Sequence, residues 1–421
     1  MKKIYPSDSR NNSRSRGTRL FRLAYLLIAF SALTMTIACS DDDDDSSSGS
    51  SDEQAVENAG QTVIMYMPWS GNLLSAFETN IADMQTAITE RGGLDDKRVM
   101  VLLAQSATSA YLMEMVYDGT TCSLDTIDTY TFSTPSYTTT YGLFSLFNDI
   151  ITLAPADSYA LIIGSHAMGW LPKGSDVEDD TSTKATAEEG CEIIDTRYFG
   201  HYSDEDYQTD ISTLADAIDM LGVEFDYILF DDCYMANMES VYELRNSAKY
   251  LIASACEVIL YGMPYTTVGK SLLDMDLKSV CDDFCDYYSN TSTPYATLAL
   301  IDCAEADAMA SVMQTINSQY DFDQSAIDSL QVLDGITPTI FFDFGDYVEH
   351  LCGTDADLYN DFLNELDLLV PYSRHTDKFY SAYNKRSTAI DTFSGISISA
   401  PSTHSLSTQY WSQTAWAAAT E

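Results

Sequence analysis

The sequence predicts an α/β protein: a mainly parallel sheet with helices on both faces, completed by a helix-rich C-terminal region. Three observations carry this expectation. Several short apolar runs are continuous rather than alternating, as strands buried on both faces must be. Segments with apolar residues at helical spacing separate those runs. A hydrophobic fraction of 45% and an aromatic fraction of 12% over 421 residues provide material for a sizeable core.

The elements follow in order. Thr62–Met67 (TVIMYM) is a β-prone run, and Leu74, Phe77, Ile81, Met84 and Ile88 then mark one face of a helix. Arg98–Ala104 (RVMVLLA) is the second buried strand. Tyr111–Tyr117 and the Thr/Tyr-rich stretch over 120–140 predict a peripheral hairpin, and Leu143–Leu153 a helix. Tyr159–Ile163 (YALII) and Tyr227–Phe230 (YILF) are the third and fourth core strands, with a helix at Ile211–Leu221 between them. A helix around Asn237–Ala248 leads to a fifth strand at Tyr250–Ser254 and a sixth at Leu298–Asp302. Helices are expected to dominate 303–385, before a late strand at Gly395–Ser399.

Charge narrows the function classes. The chain carries 64 acidic and 21 basic residues, a net charge of −43, and so repels phosphate backbones; no nucleic-acid partner is expected. Seven of the basic residues and one acid fall within residues 1–38. There a basic start runs into an apolar stretch from about Leu23 to Ala38, which reads as an export signal too short to span a bilayer. Without it the chain carries −49.

Thr36-Ile37-Ala38-Cys39 resembles a bacterial lipobox, with Thr36 where leucine is usual, so Cys39 is the candidate lipidation site. Ser40 and Asp41–Asp45 resemble the acidic export tag of surface lipoproteins. The expected organisation is a signal over 1–38, a Ser/Asp-rich tether over 39–60, a core over 61–270 and a C-terminal α/β region over 271–421 completing the same unit. The expected location is extracytoplasmic, lipid-anchored to a bacterial outer membrane. The nine cysteines show no compact framework spacing, which favours buried thiols over disulfides or zinc.

Chemistry gathers at two strand ends. The third strand runs into Gly164-Ser165-His166-Ala167-Met168-Gly169-Trp170, the fourth into Asp231-Asp232-Cys233. In an open parallel sheet, reactive groups collect beyond the carboxyl ends of the strands. If these two strands are neighbours, a thiol and an imidazole meet at one sheet edge, the pair that cysteine nucleophilic catalysis needs.

These residues resemble a known family. Tyr159–Pro172 (YALIIGSHAMGWLP) is similar to the histidine motif of clostripain-type cysteine peptidases of the caspase-like clan. Tyr227–Arg245 (YILFDDCYMANMESVYELR) is similar to their cysteine motif. Thr62–Leu73, Tyr250–Tyr265 and Phe393–Pro401 extend the likeness in the expected order. The resemblance implies a caspase-like fold and endopeptidase activity after Arg or Lys, on protein or peptide substrates. By position, Cys233 would be the nucleophile and His166 its acid–base partner, with the backbone N–H groups of Ala167 and Cys233 as the oxyanion site. Asp231 would supply negative charge to the specificity pocket. Relatives are often cleaved between the two motifs, where Lys173, Lys184 and Arg197 offer basic bonds. No cofactor is required for this chemistry. Calcium is suggested by the resemblance alone, and no metal-ligating residue is named. Ala167 stands where many relatives have glycine. Two rival readings remain, an inactive peptidase-fold surface binder and a cysteine transpeptidase.

Overall fold

The computed structural model describes residues 58–134, 136–175, 177 and 206–421. Its centre is a nine-stranded sheet built from β1 (Ala59–Met67), β2 (Lys97–Ser106), β3 (Ser109–Tyr117), β4 (Cys122–Thr131), β5 (Ala156–Gly164), β6 (Phe225–Asp231), β7 (Ala248–Ala253), β8 (Thr297–Asp302) and, after a two-residue β9 (Phe342–Asp343), β10 (Tyr372–His375). The spatial order is β10-β8-β7-β6-β5-β1-β2-β3-β4. Strands β2, β1, β5, β6 and β7 are mutually parallel, and antiparallel strands extend both edges. The four central runs seen in the sequence are buried, as a sheet covered on both sides requires.

Alternation along the strands divides the helices between the faces. Gly164 points toward Phe77 of α1 (Leu74–Arg91), where an added Cβ would lie 3.0 Å from the ring. Tyr66 points the other way, edge-on to Phe147 of α2 (Thr140–Leu153) at 5.3 Å. Helix α3 (Ile211–Leu221) packs on α2 and α4 (Met238–Leu244) on α3; α5 (Tyr265–Leu273) packs on α1 and α6 (Leu277–Ser289) on α5. Helix α1 stops at Gly92, whose left-handed φ of 89° lets its N–H close on the carbonyls of Ile88 and Thr89. The C-terminal helices are α7 (Ala306–Asn317), α8 (Phe344–Cys352), α9 (Ala356–Leu369), α10 (Ser405–Tyr410) and α11 (Ala415–Thr420).

The predicted doubly covered, mostly parallel sheet is present, with four differences. The hairpin over 109–131 is an extension of the main sheet. The sixth strand, β8, runs antiparallel to β7. The region 303–385 is less helical than its pattern implies, since β10 joins the sheet and β11 (Lys378–Ser381) pairs with β12 (Arg386–Ala389). Four-residue edge strands such as Tyr-Ser-Arg-His carry no apolar run to announce them. The late strand shrinks to β13 (Ser397–Ile398), which pairs with β9 and bridges to Asn237 rather than joining the sheet. All seven described cysteines outside the N-terminus and Cys191 are free thiols. Among the described residues no helix is long and apolar enough to cross a membrane.

Candidate active site

Strands β5 and β6 are adjacent and parallel, with Gly164 opposite Asp231. Ser165 and His166 follow β5, and Asp232 and Cys233 follow β6, directly beyond this last pair. The two strand ends are tied directly, since the Ser165 N–H donates to Asp232 Oδ1 at 2.5 Å. Both reactive residues thus follow adjacent strands at their carboxyl ends, where the ligand rule for open sheets places a site.

His166 is held from the neighbouring β1. The turn after β1 carries Asn72, whose Oδ1 lies 3.0 Å from His166 Nε2. It also carries Trp69, whose ring meets the imidazole edge-on at 4.8 Å and 85°. With Asn72 Oδ1 accepting, Nε2 carries the ring proton and Nδ1 is the nitrogen able to act as a base.

Cys233 is fully buried. The Val258 N–H donates to its Sγ at 3.2 Å, and the Val258 carbonyl lies 3.8 Å from the same sulfur. Tyr234 follows with φ of 60°, the left-handed region that bulky residues seldom adopt and that clusters at functional sites. Its conformation is over-determined. The Tyr234 N–H donates to the Cys256 carbonyl at 3.1 Å, its hydroxyl donates to Glu257 at 2.8 Å, and its ring stacks on Phe341 at 5.0 Å. Asn237 caps α4 through the Ser240 N–H and donates to the Tyr234 carbonyl at 2.6 Å.

The histidine loop presses on this turn through Gly169. Its φ is 60°, and an added Cβ would lie 2.8 Å from Asn237 Nδ2 and 2.9 Å from the Tyr234 oxygen. Only glycine fits so close an approach of two loops in that conformation.

Asp231 lies on the α1–α5 face, fully buried. Its carboxylate accepts from the Met263 N–H at 3.0 Å and the Tyr265 hydroxyl at 3.1 Å. The segment from Cys256 to Met263 thus lies against both Asp231 and Cys233, and Asn80 of α1 holds it through the Tyr261 carbonyl at 2.8 Å. Asp232 points to the opposite face.

Two buried carboxyls stand behind the cysteine turn. Glu257 accepts from Tyr234, from Ser381 Oγ at 2.5 Å and from the Ala382 N–H at 2.9 Å. Asp334 is pushed up to about 7 by burial, which outweighs the backbone N–H groups of Phe341, Ile336 and Ile340 that it accepts. Further along α4, Glu239 accepts from the Ser399 N–H and Trp411 Nε1, and burial likewise raises it to about 7.

The structure places His166 just past the end of β5 and Asp231 and Cys233 at and just past the end of the adjacent β6, with Ala167 half-buried beside the histidine. Lys173 is exposed, its N–H bonded to Asp210. Cys39, Lys184 and Arg197 lie outside the described residues. Asn72 was visible in the sequence only as part of a turn, and Glu257, Asp334 and Glu239 gave no signal apart from the surrounding acidity. Among the described residues no group of three or more His, Cys, Asp and Glu is arranged to hold a metal ion.

Comparison with known proteins accords with this geometry. The model of the clostripain family matches residues 65–392. A secreted cysteine protease of Bacteroides thetaiotaomicron, iotapain, is 43% identical, covers 87% of this chain and all of its own, and superposes with a TM-score of 0.78. A clostripain from the same species, in complex with the peptide inhibitor BTN-VLTK-AOMK, is 49% identical over 53% of this chain and 99% of its own, with a TM-score of 0.51. An inactive zymogen from Parabacteroides distasonis is 25% identical, covers 86% of this chain and 99% of its own, and has a TM-score of 0.71. No curated protein matches the chain.

Proposed function

The chain belongs to the clostripain family and is a cysteine peptidase, and we propose that Cys233 is its nucleophile and His166 its acid–base partner. The observation that supports this assignment is the Gly164–Asp231 register, which brings the two residues to adjacent strand ends. In this reading His166 Nδ1 takes the thiol proton as Sγ attacks the scissile carbonyl carbon. The carbonyl electrons move to an oxyanion that the backbone N–H groups of Cys233 and Ala167 receive. Collapse of the intermediate breaks the C–N bond, and His166 returns its proton to the leaving amine. Water then attacks the acyl thioester, releasing the acid and restoring the thiol. No cofactor enters a step.

Specificity after Arg or Lys rests on Asp231, two residues before the nucleophile and on its side of the sheet. A carboxylate in a desolvated pocket pairs strongly with a basic side chain. A relative's inhibitor peptide, VLTK, ends in lysine. Because the Cys256–Met263 segment lies against both Asp231 and Cys233, substrate reaches them only once that segment shifts. The same assignment makes Lys173, Lys184 and Arg197 candidate self-cleavage sites. Two relatives are described as secreted, in keeping with an extracytoplasmic location and a lipid anchor at Cys39. The mass of the mature N-terminus tests that anchor.

The central test offers the full chain chromogenic peptides ending in Arg, Lys, Asp or Leu. Turnover of the Arg and Lys peptides, lost in Cys233→Ala, is expected. Turnover unchanged in that variant would remove the nucleophile assignment, and a preference for Asp or Leu would remove the Asp231 pocket.

A further inference from the structure

A cleft opens on the α2–α3 face of the sheet, with His166 and Asp232 in its lining and about 870 Å³ of empty space, part of it continuous with solvent. Its walls are apolar and aromatic, including Tyr66, Trp69, Leu143, Leu214 and Phe230. Asp231 faces away from it, toward α5. Two polar atoms in this lining are buried and have no hydrogen-bond partner among the described residues, Tyr66 Oη and Gln208 Nε2. Tyr66 is 4% exposed and Gln208 9%. A buried donor left unmade costs about 1–3 kcal/mol, so two of them in one cleft ask for an acceptor brought by a ligand. The cleft's two carboxylates already accept, Asp232 from the Ser165 N–H and Asp210 from the Lys173 N–H.

We propose that this cleft receives the side chain of the substrate residue on the leaving-group side of the scissile bond, and that it selects tyrosine there. The inference rests on the dyad reading above. His166 must deliver its proton to the departing amine, so the residue carrying that amine lies beside the imidazole, next to the cleft that His166 lines. The walls suit an aromatic ring, and the unmade donors suit a terminal oxygen. Of the charged groups in the lining, Asp232 and Asp210 disfavour an acidic side chain and Lys173 is exposed to solvent, so the buried unmade donors are best matched by a neutral acceptor. The basic residue before the bond and the aromatic residue after it would thus be read on opposite faces of one sheet.

The test uses intact peptides that share an arginine before the bond and carry Tyr, Phe or Gly after it. Calorimetry with the full-length Cys233→Ala chain reads binding without cleavage, and kcat/KM of the unsubstituted chain reads selection during turnover. Tyrosine is expected to exceed phenylalanine by about tenfold in both, the value of one buried hydrogen bond, with glycine weakest. In Tyr66→Phe or Gln208→Leu the Tyr-to-Phe ratio should fall toward one, while the thermal midpoint holds because an unpartnered buried group has been removed. Equal binding of the three peptides, or a ratio unmoved by both substitutions, overturns the proposal. Binding that follows the expected order without any turnover would uphold the cleft and sink the dyad. Turnover indifferent to the residue after the bond would do the reverse.

Discussion

His166 Nε2 lies 3.0 Å from Asn72 Oδ1, so a side chain from the turn after β1 orients the imidazole that follows β5. In the proposed assignment Asn72 acts through His166 rather than on the thiol. It is a positioning residue. Asn72→Ala is expected to lower kcat roughly tenfold to a hundredfold with little change in KM, as small misplacements of a catalytic group do. Asn72→Asp should instead raise the pH at which the acidic limb of the kcat profile falls, because a carboxylate beside the ring favours the imidazolium. A profile that Asn72→Asp leaves unmoved would show that Asn72 serves folding alone.

The Ser165–Asp232 hydrogen bond joins the two reactive loops at their bases. Asp232→Ala leaves a buried N–H without its acceptor and is expected to cost about 1–3 kcal/mol of stability, read from denaturant midpoints. Asp232→Asn, which keeps an acceptor oxygen, should recover most of that loss. Equal loss in both variants would mean that charge, not the hydrogen bond, is what Asp232 contributes.

Gly169→Ala sets a methyl group against Asn237 and the Tyr234 carbonyl in a left-handed backbone. The expected cost is about 1–3 kcal/mol, with a fall in kcat at temperatures where the variant remains folded. A variant as active and as stable as the parent would show that the loops can separate freely.

Glu239 provides a pH signature. Burial lifts its carboxyl from an ordinary 4.5 to about 7. Between these values the folded chain holds a proton that the unfolded chain releases, so stability falls as pH rises through that window. Below about 4.5 both states are protonated and the term vanishes. Above about 7 its cost is complete, up to about 3 kcal/mol. Glu239→Gln keeps an acceptor for Ser399 and Trp411 without the charge. Its stability should match the parent at pH 4 and exceed it increasingly toward pH 8. Parallel curves would place the titration elsewhere.

Much of this was legible from the chain alone, for a physical reason. YALII and YILF are buried on both faces, so their apolar runs are unbroken, and the residues that end them are the ones a parallel sheet gathers at its edge. Asn72 was not legible in its role, because nothing in the turn of β1 reveals that β5 lies next to it. Glu257, Asp334 and Glu239 were hidden in plain sight. In a chain with 64 acids, a carboxylate reads as surface, and only the packing around it shows that it is inside. The short strand β10 escaped because it is polar and at an edge.

The pairing of Gly164 with Asp231 has a consequence for how such a protein can diverge. A slip of one residue between β5 and β6 would set Ser165 against Cys233 and turn the imidazole to the other side of the sheet. No adjustment of a loop could repair that. By contrast, which atoms of the two strands meet does not depend on how many residues connect them, because both strands are anchored by their own neighbours. The chemistry is stored in the alignment of two ribbons, and the sequence distance between thiol and imidazole is free to drift.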